Sequence, residues 1–362
     1  MIPMSRPTFG PEEEQAVLAV MRSGQFAQGE RVREFEQAFA SATGAEFAVA
    51  CSSGTAALLL ALVAHGVQSG DEVITSPLTF IATANAIVHA GATPVFADVD
   101  DSLGLSVAAV ADLIGPRTRA VVPVHLHGNP CDLSALFELA ERHGLAVIQD
   151  ACQAVGAHLA GRSLGSFSTA VYSFYATKNL TTGEGGMVTT NDPRVADTCA
   201  ALRHQAYAGP AYVHDRVGYN FRMTELQAAI GVVQLCRLSA VTERRRRIAS
   251  YYDEVVMAAR FARPATFPGA GHVYHQYTLR LPAANGGARE ERDRIRDLLA
   301  QAGVASGVYY PVPVHRQPAY RPYTASRCPN SERASDDMFS IPVHHSLSDA
   351  EVETVAQAVA VI

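Results

Sequence analysis

One lysine of this chain stands where a strand-like run ends and an ordinary turn residue would serve. Lys178 lies between the apolar run AVYSFY, which begins at residue 170, and the glycine-rich segment TTGEGG, which begins at residue 181. An amine placed in this way can form a Schiff base with a carbonyl group. The residues alone leave open a second interpretation, in which the lysine only forms an ion pair with a neighbouring carboxylate.

Two further groups follow other strand-like runs. Asp150 ends the run LAVIQD, and the segment from Ser52 to Thr55 opens an apolar helical pattern whose free N–H groups suit a phosphate. In open α/β sheets, ligands bind beyond the carboxyl ends of the strands, so these groups are expected to share one cleft with Lys178. A plain N-cap and a structural salt bridge are the alternatives. Taken together, a phosphate cradle, a carboxylate for a ring nitrogen and a Schiff-base lysine predict a pyridoxal 5'-phosphate (PLP) pocket.

The elements that must position these groups alternate along the first half of the chain. Short β-prone runs begin at residues 47, 72, 94, 120, 145, 170 and 186, with segments of helical length between the first five. This alternation predicts a largely parallel α/β sheet with helices on both faces. After about residue 240 a long helical pattern and the strand candidate HQYTLRL predict a smaller α+β domain, which divides the chain into residues 1–240 and 241–362.

Composition excludes several classes of protein. The net charge of -6 over 362 residues gives no general attraction to nucleic acid or an anionic membrane, and the six cysteines show no CxxC pair. We therefore expect a cytoplasmic protein with inert thiols, no metal site, no signal peptide and no membrane span. The run Arg244 to Arg247 is expected to be a solvated helix face.

The chain resembles the DegT/DnrJ/EryC1/StrS family of sugar aminotransferases, a branch of the fold type I (aspartate aminotransferase-like) PLP enzymes. The resemblance rests on seven stretches in order: SSGTAALLLAL, GDEVITSPLTFIATANAIVHAGATPVFADVD, VPVHLHGNPCDL, HGLAVIQDACQAVGA, GSFSTAVYSFYATKNLTTGEGGMVTTND, GYNFRMTELQAAIG and YYPVPVHRQPAY. It implies a large domain with a mostly parallel sheet of about seven strands, followed by a smaller α+β domain.

The resemblance also implies roles for individual residues. Lys178 forms the Schiff base and shuttles the proton, and Asp150 pairs with the pyridinium nitrogen. Further cofactor contacts are expected at Gly54, Thr55, Phe80, Gln153, Ser173 and, from a second subunit, Asn220. Tyr309 and His315 are expected to contact the substrate, and Arg31 and Arg222 are candidates for the diphosphate, while His125, His127, His344 and His345 are assigned to the structure. A site shared in this way implies a homodimer.

The reaction implied is a two-step transamination, from an amino acid such as L-glutamate through pyridoxamine phosphate to a nucleotide-linked keto sugar. The segment GYNFRMTELQAAIG looks more like that of members acting on 4-keto-6-deoxy sugars, because 3-keto enzymes tend to carry Ser at Phe221 and Leu-Asp at Met223-Thr224. A 3-keto sugar or a cyclitol ketone remains the alternative within the family. A non-enzymatic regulator or ligand sensor is the alternative from another class, although a sensor would not need both Lys178 and Asp150.

Overall fold

Helices and strands alternate through residues 47 to 147, as the sequence predicts. The structure is a computed structural model that describes residues 1–207, 212–256, 261–282, 287–323 and 327–362. Its α-helices are α1 Pro11–Ser23, α2 Glu30–Thr43, α3 Gly54–Ala64, α4 Ala82–His89, α5 Val107–Ala111, α6 Leu133–His143, α7 Pro193–Arg203, α8 Glu225–Val256, α9 Ala288–Gln301, α10 Pro329–Asp337 and α11 Asp349–Ala360. Its strands are β1 Phe47–Cys51, β2 Glu72–Thr75, β3 Thr93–Phe96, β4 Thr118–Val122, β5 Ala146–Val147, β6 Gln149–Asp150, β7 His158–Leu159, β8 Arg162–Ser163, β9 Ala170–Ser173, β10 Gly186–Thr190, β11 Ala270–Gly271, β12 Tyr277–Arg280 and β13 Met338–Ile341.

All seven predicted runs form strands of one large sheet. The strands pair in the orders β1-β10-β9-β6 and β3-β2-β4-β5. Strands β5 and β6 are consecutive parts of one extended run, because Ile148 N donates to Val121 O at 3.0 Å and Asp150 N donates to Pro123 O at 2.8 Å. Strand β10 is antiparallel to both of its neighbours, and the other pairs of the large sheet are parallel. The prediction of a mostly parallel sheet is therefore confirmed.

Helices cover both faces of this sheet because consecutive strand residues point to opposite sides. On strand β9, Val171 packs in a cluster with the leucines of α3, whereas Tyr172 packs with Phe35 and Phe39 of α2 on the other face. Both Val171 and Tyr172 are almost fully buried. Burial on both faces explains why the strands are nearly continuous apolar runs instead of alternating ones.

The second half of the chain is built on the long helix α8, which has 32 residues. The strand predicted around HQYTLRL forms as β12 and pairs antiparallel with β13. Residues of α8, α9, α11 and these two strands share a separate apolar core. Helix α8 runs through residue 240, and the division of the chain at that residue stays a prediction. No helix of the described ranges has the length and apolar character needed to cross a membrane.

Candidate active site

A cavity of about 700 Å³ opens at the carboxyl ends of the strands of the large sheet. The start of α3, the end of β6, the turn after β9 and the segment around residue 309 all contribute to its wall. Eight of the ten residues predicted for the site line it: Gly54, Thr55, Phe80, Asp150, Gln153, Ser173, Lys178 and Tyr309. The parallel strands therefore bring the predicted phosphate cradle, carboxylate and lysine to one place.

The phosphate cradle is the first turn of α3. Ser53 caps this helix, and its Oγ accepts a hydrogen bond from Ala56 N at 3.1 Å. The first N–H groups of a helix have no partner within it and attract anions. A Cβ on Gly54 would lie 2.8 Å from Ser173 Cβ, and one on Gly186 would overlap the Ser53 carbonyl. The two glycines thus allow the helix start to sit directly on strands β9 and β10.

The Asp150 carboxylate is held by donors, and no salt bridge in the described part of the chain joins it to a cation. It is 5% exposed, and it accepts hydrogen bonds from Thr83 Oγ1 at 2.7 Å and Cys152 N at 3.1 Å. Because an isolated buried carboxylate is costly, an approaching protonated ring nitrogen would be a favourable partner. Thr83 was not predicted from the sequence, since a threonine near a helix start is an ordinary structural residue.

The Lys178 side chain is half-buried in the cavity wall. Burial lowers its pKa below the usual value, because the interior disfavours the charged ammonium, and the neighbouring Cys152 and Asp150 oppose this only in part. A lysine with a lowered pKa presents more of the neutral amine, which is the nucleophilic form. The backbone of the residue is fixed by a turn in which Lys178 N donates to Tyr175 O at 2.9 Å.

An aromatic residue that the sequence reasoning missed stands beside Phe80. The centroids of the Phe80 and Tyr310 rings are 5.9 Å apart, and the Tyr310 hydroxyl accepts a hydrogen bond from Gln153 Nε2 at 3.1 Å. Gln153 Oε1 accepts in turn from His127 N at 2.7 Å. Gln153 is therefore oriented by two contacts, and a flat ring could lie along the face of Phe80.

Two predicted residues do not line this cavity. The His315 imidazole is buried, lies against the Phe96 ring and has its Nε2 2.9 Å from Glu332 Oε1. Asn220 is exposed, and its backbone forms an antiparallel bridge with His204. The contacts of His315 are those of a structural residue, whereas the expectation for Asn220 concerns a second subunit.

The two arginines proposed for the diphosphate also lie outside the cavity wall. Arg31 pairs with Glu34 of the same helix, and Arg222 Nη1 lies 2.8 Å from His204 Nδ1. Neither contact prevents a ligand from approaching, because these side chains are partly exposed.

The run Arg244 to Arg247 was expected to be a solvated helix face, and this expectation is wrong for Arg245. Arg247 is exposed, but Arg245 is 4% exposed and lines the cavity. Its neighbour in the wall is His275, whose pKa lies well below the usual value because of burial, with Lys178 and Arg245 adding to the effect. Four consecutive helical residues point in different directions, and the sequence alone did not show which of them faces inward.

The four histidines assigned to the structure make structural contacts. Nε2 of His125 lies 3.1 Å from Gln149 Oε1, and Nε2 of His127 lies 3.0 Å from Tyr309 O. Nε2 of His344 lies 3.1 Å from Pro3 O. Nε2 of His345 lies 2.9 Å from Thr8 Oγ1.

These residues fit PLP on three independent observations. The start of α3 offers free N–H groups at a position where glycine keeps the approach open. The buried Asp150 has donors but no salt bridge in the described ranges, and Lys178 carries a lowered pKa within the same cavity. Together, these groups suit an anionic phosphate, a protonated pyridine ring and an aldehyde, respectively.

Comparison with known proteins agrees with this assignment. The model of the DegT/DnrJ/EryC1/StrS aminotransferase family matches residues 7–360. A GDP-perosamine synthase of Caulobacter vibrioides is 39% identical, with 99% of this chain and 97% of the relative covered. A UDP-N-acetyl-3-dehydro-alpha-D-glucosamine 3-aminotransferase of Acidithiobacillus ferrooxidans is 37% identical, with 98% and 95% covered. A pleiotropic regulatory protein of Geobacillus stearothermophilus is 38% identical, with 97% and 94% covered.

Solved structures show the same similarity in three dimensions. DesV of S. venezuelae, solved in complex with a ketimine intermediate, is 37% identical with a TM-score of 0.92, and 96% of this chain and 93% of that chain are covered. The PLP form of Spr1654 from Streptococcus pneumoniae has a TM-score of 0.94 at 29% identity, with 99% and 98% covered. The fold type I assignment is therefore confirmed, and the chain belongs to the DegT/DnrJ/EryC1/StrS aminotransferase family of PLP-dependent sugar aminotransferases.

Proposed function

We propose that this enzyme transfers the amino group of L-glutamate to C4 of a dTDP-4-keto-6-deoxyhexose, in the synthesis of an amino sugar for a natural product or glycan. The observation that carries the aminotransferase chemistry is the meeting of Lys178, Asp150 and the start of α3 in one cavity. The similarity to enzymes named for UDP- and GDP-linked sugars supports a nucleotide-sugar substrate.

The residues of the chain divide the work of the reaction. When bound, PLP acts as the electron sink for the amino group and the carbon it leaves or joins. Asp150 holds a proton on the ring nitrogen, and the first turn of α3 holds the phosphate. Lys178 would hold the aldehyde carbon of the cofactor until a substrate amine arrives and would then carry the proton at the reacting carbon. Phe80 and Gln153 orient the ring.

The choice of C4 is supported by the segment that follows residue 217. Its Phe221 and Met223 match relatives acting on 4-keto sugars, and the segment lies next to the phosphate cradle because Ser52 N donates to Phe221 O at 2.8 Å. Amination at C3 is the second candidate, and it is favoured by the 37% identity to the enzyme named as a 3-aminotransferase. A cyclitol ketone is a third possible acceptor.

A regulatory function is the alternative from another class, and the name of one relative, a pleiotropic regulatory protein, favours it. The reactive residues of this site argue against a regulatory function. A sensor that only binds PLP would have no need of a half-buried lysine with a lowered pKa near a buried carboxylate. Turnover with any amino sugar would reject this alternative.

The deciding experiment uses the absorption of the protein-bound cofactor. The PLP-loaded protein would be mixed with 4-amino and 3-amino sugar nucleotides, and the Schiff-base band would be followed as the amino group moves to the cofactor. Bleaching by only the 4-amino compounds would support C4, whereas bleaching by only the 3-amino compounds would replace it with C3. A band that no sugar changes, but that L-glutamate bleaches, would point to a cyclitol or another ketone.

A homodimer with shared sites is part of the proposal. Phe80 and Tyr175 at the cavity are 55% and 47% exposed in the single chain, and Val217 near Asn220 is 89% exposed. Large apolar groups exposed around a binding site are typical of an interface. A second copy that covers them would bring its own Asn220 to the phosphate.

Mixed dimers test whether Asn220 acts across the interface. Lys178→Ala and Asn220→Ala chains would each be inactive alone and would be refolded or co-expressed together. If Asn220 serves the partner's site, the mixed dimer holds one intact site and recovers activity, up to half of the wild-type value per dimer. If each Asn220 serves its own chain, both sites are damaged and no recovery occurs.

A further inference from the structure

Arg245 of α8 is a buried cation in the cavity wall whose role the cofactor chemistry leaves open. Its side chain is 4% exposed, and Nη1 donates to Tyr274 O at 2.9 Å. Within the described ranges no carboxylate lies in ion-pair distance of it. Burial lowers its pKa only to about 10, so the guanidinium keeps its charge at neutral pH. A buried charge without a counter-charge is costly, and an anion that enters the cavity would remove that cost.

The unoccupied edge of this guanidinium has the geometry that carboxylates use. Elsewhere in the chain, Arg280 binds Asp337 side-on, with Nε 2.8 Å and Nη2 2.7 Å from the two carboxylate oxygens. In Arg245 the same edge has no acceptor: Nε is buried without a hydrogen-bond partner, and no described residue accepts from Nη2. A planar fork of two N–H groups matches a carboxylate better than it matches a single oxygen.

The other basic groups in the cavity are already assigned. Lys178 and Arg245 are the only lysine and arginine in the cavity wall formed by the described residues. Lys178 serves the cofactor aldehyde, and His275 is neutral because its pKa is well below the usual range. The phosphate of the cofactor is assigned to the N–H groups at the start of α3. Arg245 is therefore available to bind an anionic group of a substrate.

Of the substrate anions, the small carboxylate suits this site better than the diphosphate. The side chain is 4% exposed, so only a compact group can reach its edge. A sugar nucleotide presents two linked phosphates and needs several donors along an open groove. We propose that Arg245 binds a carboxylate of the amino-acid donor and so sets the specificity of the first half-reaction. This rests on the amino-acid donor in the proposed function.

The test compares Arg245→Gln and Arg245→Lys with the control Arg247→Gln, which removes the same charge from an exposed position of the same helix. Each PLP-loaded protein is mixed rapidly with L-glutamate and, separately, with the amino sugar that bleaches the wild type. For Arg245→Gln we expect the KM for L-glutamate to rise about 10- to 100-fold, the worth of a hydrogen-bonded charge pair. The KM for the sugar and the affinity for PLP should stay within about twofold of wild type.

Binding without reaction gives a second readout. Glutarate carries the carboxylates of the donor but no amine, and its dissociation constant can be measured by calorimetry on the PLP-loaded protein. It should weaken in Arg245→Gln, weaken less in Arg245→Lys, which keeps the charge but not the fork, and stay unchanged in Arg247→Gln. Arg245→Lys also keeps the test usable if the glutamine variant fails to fold.

Three results would overturn the proposal. An unchanged KM for L-glutamate and unchanged glutarate binding in both Arg245 variants would remove the arginine from donor recognition. A loss confined to the sugar would assign it to the nucleotide instead. Equal losses for L-glutamate, sugar and PLP would make its role structural. Because the donor half-reaction involves no sugar, none of these results depends on whether C4 or C3 is aminated.

Discussion

Replacement of Thr83 by valine tests whether the Asp150 carboxylate is positioned before the cofactor arrives. The Thr83 hydroxyl lies 2.7 Å from Asp150 Oδ2, and the two side chains are 1% and 5% exposed. Valine has nearly the same volume, so it leaves no cavity, but it removes a donor from a buried charged group. Such a hydrogen bond is worth about 1.5–3 kcal/mol. We expect the free energy of unfolding of the apoprotein to fall by that amount.

Thr83→Ser is the matched control, because serine keeps the hydroxyl and loses one methyl group, at a cost of about 0.8 kcal/mol. The chain has no tryptophan, so urea unfolding would be followed by circular dichroism. The dissociation constant of PLP should rise in Thr83→Val and stay near the wild-type value in Thr83→Ser. A valine variant within about 0.5 kcal/mol of wild type, with unchanged PLP affinity, would refute the positioning of Asp150 by Thr83.

Three more perturbations follow from the structure. Because burial lowers the pKa of Lys178, the unfolded apoprotein binds the proton more tightly, and stability should rise as the pH approaches 10.5 from below. Melting curves of wild type and Lys178→Met measure this, and an equal rise in both would contradict it. Gly54→Ala places a methyl group 2.8 Å from Ser173 Cβ. It should lower the free energy of unfolding by about 1–3 kcal/mol, measured by urea unfolding, and weaken PLP binding, measured by dialysis. An unchanged affinity for PLP would reject the phosphate cradle. Arg203→Met leaves Glu36 beside Ala50 without its cation and should cost about 3 kcal/mol in urea unfolding; a loss below about 0.5 kcal/mol would count against the pair.

Much of the sheet was predictable because local patterns determine it. Short apolar runs separated by helical patterns require parallel strands, and parallel strands bring their carboxyl ends together. The meeting of Asp150, Lys178 and Gly54 in one cavity follows from this rule. The family resemblance supplied what the rule could not, namely the roles proposed for Phe80 and Gln153.

The residues that the sequence did not indicate come from distant parts of the chain. Thr83 and Tyr310 reach the site through the packing of α4 and the segment after α9, and no local pattern records that packing. Arg245 was misjudged because the orientation of a long helix depends on what covers it. His315 was chosen from its segment, yet its imidazole turned towards Glu332 and away from the cavity.

Gly54 and Gly186, which let the start of α3 pack on the sheet, have a consequence for engineering. Gly186 begins strand β10 at a position where any side chain would strike the Ser53 carbonyl, so the turn proposed to bind the phosphate packs directly on the sheet. Cofactor retention and thermal tolerance cannot then be tuned separately by substitutions here. Met4, Ser5 and Tyr309 also line the cavity but are only half-buried, so libraries that seek new acceptor sugars belong at these positions.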